Sequence, residues 1–303
     1  MSSLSIDPGL GEKFGKHTKR IINQNGSFNV KRNNRRLNPK DIYHFLVNLS
    51  WTRFLLVILA GYLLVNLLFG SVYFFIGVEN LRNSLNSTPM NNFLSAYFFS
   101  IQTFTTVGYG GIVPDGFSAN LVASFEALVG LLSFALATGL LYGRFSRPSA
   151  RILFSRNAVI APYKDIKALM FRVANLRNND LIEVEANLLT VFADPVNHNR
   201  KYYGMKLERK SVYFFPLSWT IVHPIDEDSP FYNKSAKELK ELQTEVLVQF
   251  KAFDDTFSQT VHTRFSYIVD EIIWNAKFKP AFEPDEKGEI IFDLDRIHDF
   301  ELI

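Results

Sequence analysis

Cysteine is absent from all 303 residues of this chain. Its absence excludes disulfide bonds, thiolate nucleophiles and cysteine-ligated zinc, and it fits a reducing interior. Enzyme signatures are lacking as well: no GxGxxG follows a predicted strand, and we find no Walker loop, HExxH helix or nucleophile elbow. We therefore expect no enzymatic activity and no cofactor. We also expect no nucleic-acid partner.

Charged residues are missing from most of two long apolar stretches. The first, Phe54–Val78, carries none and matches the ~20 residues that a helix needs to cross a bilayer. The second runs from about Phe117 to Tyr142 and is interrupted only by Glu126. A continuous apolar helix inside a large soluble core is the alternative for the first stretch. Its length and the charges that flank it favour a membrane span instead.

Basic residues lie on the outer sides of both stretches. They precede the first span at Arg32, Arg35, Arg36, Lys40 and Arg53, and they follow the second at Arg144, Arg147, Arg151 and Arg156. Cytoplasmic flanks of membrane spans carry such an excess of Lys and Arg. The pattern therefore predicts an integral membrane protein with two spans and with both termini in the cytoplasm.

Between the spans, an apolar segment gives way to the run TTVGYGG, residues 105–111. The segment Asn91–Phe104 follows Pro89 and is long enough for about three to four helical turns, but too short to cross a membrane. We predict a re-entrant half-helix, which is tolerated only where it is buried in protein or lines a water-filled path. Its C-terminal end carries partial negative charge and favours a cation nearby.

The residues after the half-helix, Thr106, Val107, Gly108, Tyr109 and Gly110, predict a potassium selectivity filter. A dehydrated K+ ion needs stacked oxygen ligands, and extended backbone supplies them when left- and right-handed conformations alternate. Gly108 and Gly110 adopt positive φ at little cost. Four TVGYG loops form the known potassium filter, so we expect a homotetramer that holds K+ at Thr106, Val107, Gly108 and Tyr109. The alternative is a chance glycine-rich turn. The position of the TVGYG run between a half-helix and a span argues against that alternative.

Four later segments carry a resemblance to a known family: ILFSRNAVIAP (152–162), FRVANLR (171–177), IDEDSPFY (225–232) and SYIVDEIIW (266–274). They are similar to signature segments of the inward-rectifier potassium channel family, and the chain most resembles its prokaryotic, KirBac-type members. The resemblance implies a membrane α plus all-β fold, with a two-span pore followed by a cytoplasmic immunoglobulin-like β-sandwich. It also implies a homotetramer in a bacterial inner membrane. Independently, alternating stretches such as LIEVEANLLTVF predict short strands.

The expected organisation has four parts. They are a cytoplasmic N-terminal segment (1–38), an amphipathic slide helix (39–51), a pore domain (52–146) and a cytoplasmic β-sandwich regulatory domain (147–303). Residues 39–51 place apolar side chains on one helical face and resemble the family's slide helix, which lies in the inner interface. An N-terminal extension of the first span is the alternative. Within the last part, only 235–243 is predicted to be helical, with Ser235 as its cap.

The resemblance further implies where the pore is gated and tuned. It puts Tyr142 at the inner constriction, and it puts Gly130 and Gly139 at helix glycines that could bend. Close helix packing is the alternative for these glycines. Phe134 aligns with an acidic cavity residue of other members, so we expect weak polyamine rectification. Glu126 is an intramembrane carboxylate that we expect either to tune ion occupancy near the filter or to make a structural hydrogen bond.

Two further features concern the filter and the inner membrane surface. Gln102 and Ile112 stand where eukaryotic family members carry a Glu–Arg pair that brackets the filter, so this filter is expected to be braced differently. Arg144, Arg147 and Arg151 are predicted to face membrane lipids, with an anionic phospholipid or phosphoinositide as a modulator. Ordinary positive-inside flanking is the alternative for these arginines.

Together, these observations predict a potassium-selective channel of the inward-rectifier type. Conduction would be passive, through a tetrameric pore gated at the inner helix crossing and by the cytoplasmic domain. The alternative is a membrane-anchored cytoplasmic binding or sensor module with a nonconducting pore. An intact TTVGYGG argues against that alternative, because a disused filter is free to lose its glycines.

Overall fold

A computed structural model describes residues 6–13, 20–31, 33, 42–84, 88–146, 151–177, 179–215 and 218–303 of the chain. Arg147 and the first three residues of the predicted slide helix, 39–41, lie outside the described residues. The chain divides into two compact units. One is the segment Asn34–Arg147, and the other combines Met1–Asn33 with Pro148–Ile303.

The unit Asn34–Arg147 is helical. Its helices are α1 (Ile42–Asn48), α2 (Trp51–Ile76), α3 (Pro89–Phe104) and α4 (Gly116–Phe145), and two short strands, β1 (Leu81–Arg82) and β2 (Val113–Pro114), pair antiparallel between α2 and α4. Helices α2 and α4 are long and apolar enough to cross a membrane, and only 17% of the most apolar window of each is buried within the chain. This exposure differs from that of a soluble core helix. The two predicted spans and the half-helix between them are confirmed.

Local sequence explains where these helices begin and end. Helix α2 ends just before Gly77, whose φ of +106° departs from helical geometry while its N–H donates to the Tyr73 carbonyl at 3.1 Å. Thr88 caps α3 by accepting from the Asn91 N–H at 3.2 Å, and Pro89 fits the first turn because its missing N–H needs no partner there. The Asp115 side chain accepts from the N–H at the start of α4. The ends of the pore segment are therefore encoded locally.

Helices α1 and α2 are separate elements. Helix α1 ends at Asn48, and Ser50 adopts an extended backbone with φ −61° and ψ 155° before α2 begins at Trp51. The alternative that the amphipathic segment is an extension of the first span is therefore wrong. The apolar side chains of Ile42 and Phe45 are exposed within the single chain, as an interfacial helix requires.

The other unit is built on two five-stranded sheets. Strands β6 (Leu181–Ala193), β7 (Arg200–Met205), β8 (Ser211–Phe214), β10 (Glu245–Asp254) and β11 (Gln259–Ile268) form the first sheet, in the order β11-β10-β6-β7 with β8 also pairing β6. Strands β3 (Ile152–Phe154), β4 (Ala158–Tyr163), β5 (Ile166–Asn175), β9 (Ser218–Ile225) and β12 (Ile272–Trp274) form the second, in the order β12-β4-β5-β3 with β9 also pairing β5. Two further two-stranded antiparallel pairs follow: β14 (Phe282–Pro284) pairs with β15 (Ile290–Phe292), and β13 (Ala276–Phe278), which precedes them, pairs with β16 (Phe300–Leu302). All the pairings are antiparallel except β12 with β4.

The two sheets share one apolar core, which makes this unit a β-sandwich. Phe154 on β3 stacks on Phe265 of β11 with ring centroids 4.7 Å apart, and Phe171 on β5 lies 5.2 Å from Tyr267. Each large apolar side chain buried here contributes about 1.5–3 kcal/mol of transfer free energy. The predicted helix is confirmed as α5 (Ala236–Glu241), and Ser235 forms the N-cap with a reciprocal hydrogen bond from its backbone N–H to the side chain of the third helical residue.

Part of the N-terminal segment packs on the β-sandwich, which the sequence did not suggest. Ile21 and Ile22 are buried, and their backbone N–H groups donate to the carboxylate of Glu245 at 2.8–3.2 Å. The same carboxylate lies 3.3 Å from the guanidinium of Arg200, and both side chains are buried. Arg20 forms an ion pair with Glu271 at 2.6 Å. These contacts fasten residues 20–22 to the sheet that contains β10.

Candidate functional site

The backbone of the predicted filter alternates in handedness. Thr106, Gly108 and Gly110 have φ of +58°, +54° and +78°, whereas Val107 and Tyr109 do not have positive φ. The sequence predicted this alternation, but it indicated positive φ only at Gly108 and Gly110. The left-handed conformation of Thr106 was missed because a β-branched residue disfavours it.

The filter is tied to the last turn of α3. The Gln102 carbonyl accepts hydrogen bonds from the N–H groups of Val107 at 3.1 Å and Gly108 at 3.2 Å, and the Thr103 carbonyl accepts from Thr106 at 3.0 Å. A helix end leaves its final carbonyls without intrahelical partners, and here the filter amides supply them. Because these amides point toward α3, the position of this last turn fixes the start of the filter.

The side chains of the filter are not covered by their own chain. Tyr109 is 81% exposed and Val107 is 52% exposed. Gly108 and Gly110 have open space around them, since a Cβ added at either would meet no atom within 4 Å. Within one chain, the requirement for glycine at these positions is therefore conformational rather than steric.

Four polar side chains connect the three helices α2, α3 and α4. Glu126 on α4 has no exposed surface, and its carboxylate accepts hydrogen bonds from the hydroxyls of Ser100 on α3 at 2.5 Å and Tyr73 on α2 at 2.6 Å. Ser100 also lies 3.2 Å from the side-chain oxygen of Asn66, another buried residue of α2. The sequence singled out Glu126 but missed the other three. The polar Asn66 within an uncharged span was the signal that could have led to them.

The two glycines proposed as hinges have different surroundings. A Cβ on Gly130 would lie 2.1 Å from the backbone oxygen of Phe104, at the end of α3, whereas one on Gly139 would meet nothing within 4 Å. Gly130 thus permits α4 to approach α3 at backbone distance, as the packing alternative predicted for it. Bending at Gly139 stays a prediction.

The C-terminal half of α4 presents aromatic side chains outward from the chain. Tyr142, the predicted gate, and Phe134, the predicted cavity residue, are each 74% exposed. Phe134 is apolar. The carboxylate of Glu126, the acidic residue of α4, accepts hydrogen bonds from hydroxyls of α2 and α3. Phe134 and Glu126 therefore place no carboxylate on the exposed surface of α4.

Arg144 is engaged by protein rather than open to its surroundings. Its guanidinium donates to the carbonyls of Leu46 and Val47, both at 3.0 Å, and of Leu49 at 2.8 Å. The same group lies over two aromatic rings of α2. The predicted lipid contact therefore finds no support at this residue. Arg151 is exposed and lies in the other unit.

Comparison with known proteins identifies both units. A family model described as the inward rectifier potassium channel C-terminal domain matches residues 152–303, and one described as ion channel matches residues 61–147. The inward rectifier potassium channel Kirbac3.1 of Paramagnetospirillum magnetotacticum is 38% identical over 287 residues, which cover 92% of this chain and 95% of that protein.

Vertebrate proteins match over most of the chain as well. The ATP-sensitive inward rectifier potassium channel 12 of Gallus gallus is 29% identical, over 97% of this chain and 76% of its own length. The G protein-activated inward rectifier potassium channel 4 of Mus musculus is 30% identical, over 94% and 73%. Among solved structures, the sporulation control protein Spo0M of Bacillus subtilis aligns with 42% of this chain and 50% of its own chain at 12% identity. Its TM-score of 0.24 is too low to indicate a shared fold. With both units matched in order, and with a relative 38% identical along nearly its whole length, the chain belongs to the inward rectifier potassium channel family.

Proposed function

We propose that four copies of this chain form one potassium-selective pore in which Thr106 to Gly110 line the ion path. The observation that carries the proposal is the alternating backbone at Thr106, Gly108 and Gly110, set at the C-terminal end of a half-helix. This alternation allows successive carbonyls to point in one direction, and four such walls replace the water shell of a K+ ion. The partial negative charge at the end of α3 favours the cation below the filter.

The exposed filter side chains support the tetramer. Tyr109 and Val107 are large, apolar in most of their atoms and uncovered in one chain. An exposed aromatic ring beside a pore gains transfer free energy when a neighbouring subunit covers it. Packing of these side chains between subunits would also hold the four walls at a fixed spacing.

The inner end of α4 would form the gate. Tyr142 is exposed on α4, the span that would line the pore, and four aromatic rings at one level close a pore by steric occlusion and by dewetting. Rectification by polyamines would be weak, because Phe134 offers a cationic blocker no carboxylate and Glu126 is buried. The cytoplasmic β-sandwich would act on this gate.

The membrane assignment has a defined orientation in this proposal. Both termini face the cytoplasm of a bacterial inner membrane, since the basic residues flank the spans on that side. Anionic lipids would modulate the channel through basic side chains that remain available near the inner surface. Arg144 is the least suited of these, because three carbonyls already occupy its guanidinium.

The test is tracer uptake into liposomes that contain the purified protein. Vesicles loaded with potassium should accumulate external rubidium, a potassium analogue, and barium should block the uptake. Vesicles loaded with sodium should accumulate none. Uptake that is equal in potassium- and sodium-loaded vesicles would contradict the proposal, and so would a tetramer that stays silent even when Tyr142→Ala removes the gate.

A further inference from the structure

Glu126 is a buried carboxylate with a specific set of donors. Its side chain has no exposed surface and lies in a span whose other side chains are mostly apolar. Burial of a carboxylate costs several kcal/mol unless hydrogen bonds compensate for the lost water. Two hydroxyl donors at 2.5 and 2.6 Å supply that compensation. Removal of either hydroxyl donor would therefore leave the buried carboxylate less well compensated.

The two donors belong to different helices. Tyr73 lies near the C-terminal end of α2 and Ser100 lies on α3, so Glu126 connects α4 to both. Asn66, one further residue of α2, approaches the Ser100 hydroxyl at 3.2 Å. One carboxylate thus holds three helices at a single point, and displacement of α3 would break at least one of these bonds.

The same face of α4 contacts α3 a second time. Gly130 follows Glu126 by about one helical turn, and it faces the Phe104 carbonyl at a distance that leaves no room for a Cβ. Between Ser100 and Phe104 lies Gln102, whose carbonyl holds the amides of the filter. The contacts at Ser100 and Phe104 therefore fix the end of α3 to α4 on both sides of Gln102, the residue that is hydrogen-bonded to the filter.

We propose that Glu126 is a positioning residue for ion selection. Its hydrogen bond from Ser100 holds the end of α3, and with it the filter, in position. The hydrogen bond from Tyr73 fastens Glu126 to α2 as well. This inference rests on the proposed filter function and adds the residue that holds the filter in place. A site that discriminates by geometry must be held within about 0.5 Å by supporting contacts. Loss of one donor lets the last turn of α3 shift, and the filter amides shift with it.

The experiment removes one oxygen atom at a time. Tyr73→Phe and Ser100→Ala each delete a single donor to Glu126 and leave the apolar packing nearly unchanged. Ser71→Ala and Ser124→Ala are matched controls on α2 and α4, since each of those hydroxyls donates to a carbonyl four residues earlier in its own helix. The readouts are the ratio of rubidium to sodium uptake, the barium concentration that halves the flux, and the tetramer content by size-exclusion chromatography.

We expect Tyr73→Phe and Ser100→Ala to lower the rubidium-to-sodium ratio about three- to tenfold, the equivalent of one hydrogen bond, and to change barium block at normal tetramer content. The controls should match the unmodified channel. A purely stabilising role would lower tetramer content and leave the ratio unchanged, so an unchanged ratio in both variants overturns this inference. That result differs from a failure of the proposed function, in which the unmodified channel itself would show no selectivity.

Discussion

The guanidinium carbon of Arg144 lies 4.6 Å from the ring centroid of Trp51, although the two residues are 93 positions apart in the sequence. The same group lies 4.5 Å from the ring of Phe54. Three carbonyls at the end of α1 and just after it complete its surroundings. Arg144 therefore joins the C-terminal end of α4 to the junction between α1 and α2. Because Tyr142 is only two residues away, this junction is fixed next to the proposed gate.

Arg144→Lys should destabilise this junction even though the positive charge is kept. A lysine cannot donate to three carbonyls from a planar fork while lying over two rings, and we expect a loss of about 2–3 kcal/mol per chain. Thermal dissociation of the tetramer measures the effect. Arg151→Lys is the control, because Arg151 is exposed. Equal melting temperatures for the two variants would contradict a structural role for Arg144.

Gly108→Ala should abolish selective uptake without preventing assembly. Its φ of +54° costs an L-residue about 1–2 kcal/mol, four times per tetramer. Open space around the Cβ position excludes a steric clash within the chain. Gly111→Ala is the control, since Gly111 has no positive φ and the same open space. Rubidium uptake should survive in the control and fail in the variant, and selective uptake by Gly108→Ala would argue against the filter assignment.

Gly130→Ala and Gly139→Ala should separate packing from bending. Alanine at 130 would meet the Phe104 backbone oxygen, which cannot move as a side chain does, so we expect loss of tetramer or of selective flux. Alanine at 139 meets nothing within 4 Å and should assemble normally. A slower or rarer opening of Gly139→Ala in single-channel recordings would then identify a hinge. Wild-type gating would leave Gly139 without that role.

Tyr142→Ala should raise the open probability in single-channel recordings. If each closed pore loses contacts worth about 1.4 kcal/mol, the open-to-closed ratio rises about tenfold. Tyr142→Phe keeps the ring and should gate as the unmodified channel does. An alanine variant with unchanged open probability would remove Tyr142 as the gate.

His223 should make the β-sandwich less stable in acid. Burial lowers the pKa of His223 below its usual 6.5, an effect that the hydrogen bond to the Lys206 carbonyl opposes. In the neutral ring, Nδ1–H donates to that carbonyl at 2.6 Å and Nε2 accepts from the Ser229 hydroxyl at 2.8 Å. The unfolded chain binds the proton more readily, so stability is lost as the pH falls from 6.5 toward the depressed pKa.

The measurement is the melting temperature of the full channel as a function of pH, for the unmodified protein and for His223→Asn. An asparagine amide retains a donor for the Lys206 carbonyl but does not titrate. The unmodified protein should lose more stability than the variant below pH 6.5, by about 1.4 kcal/mol for each unit of pKa difference. Parallel curves would show that protonation of His223 does not limit stability.

The sequence by itself determined the elements whose causes are local. A long stretch without charged residues predicts a membrane span such as α2, whereas the 16-residue helix that begins at Pro89 is too short to cross a membrane. Glycine at 108 and 110 signals backbone that other residues resist. Capping residues such as Ser235 indicate where a helix begins. All of these depend on residues within a few positions of one another, so the chain order is enough to find them.

Only the tertiary structure decided which distant residues meet. Nothing near Glu126 in the sequence predicts hydroxyl donors from two other helices, and nothing near Arg144 predicts the carbonyls that follow α1. Glu245 likewise receives the amides of Ile21 and Ile22 from more than 200 residues away. Buried polar groups need partners, but the partner depends on which helices and sheets pack together. That packing arises from apolar surfaces that many sequences share, so the pairing appears only once the fold is known.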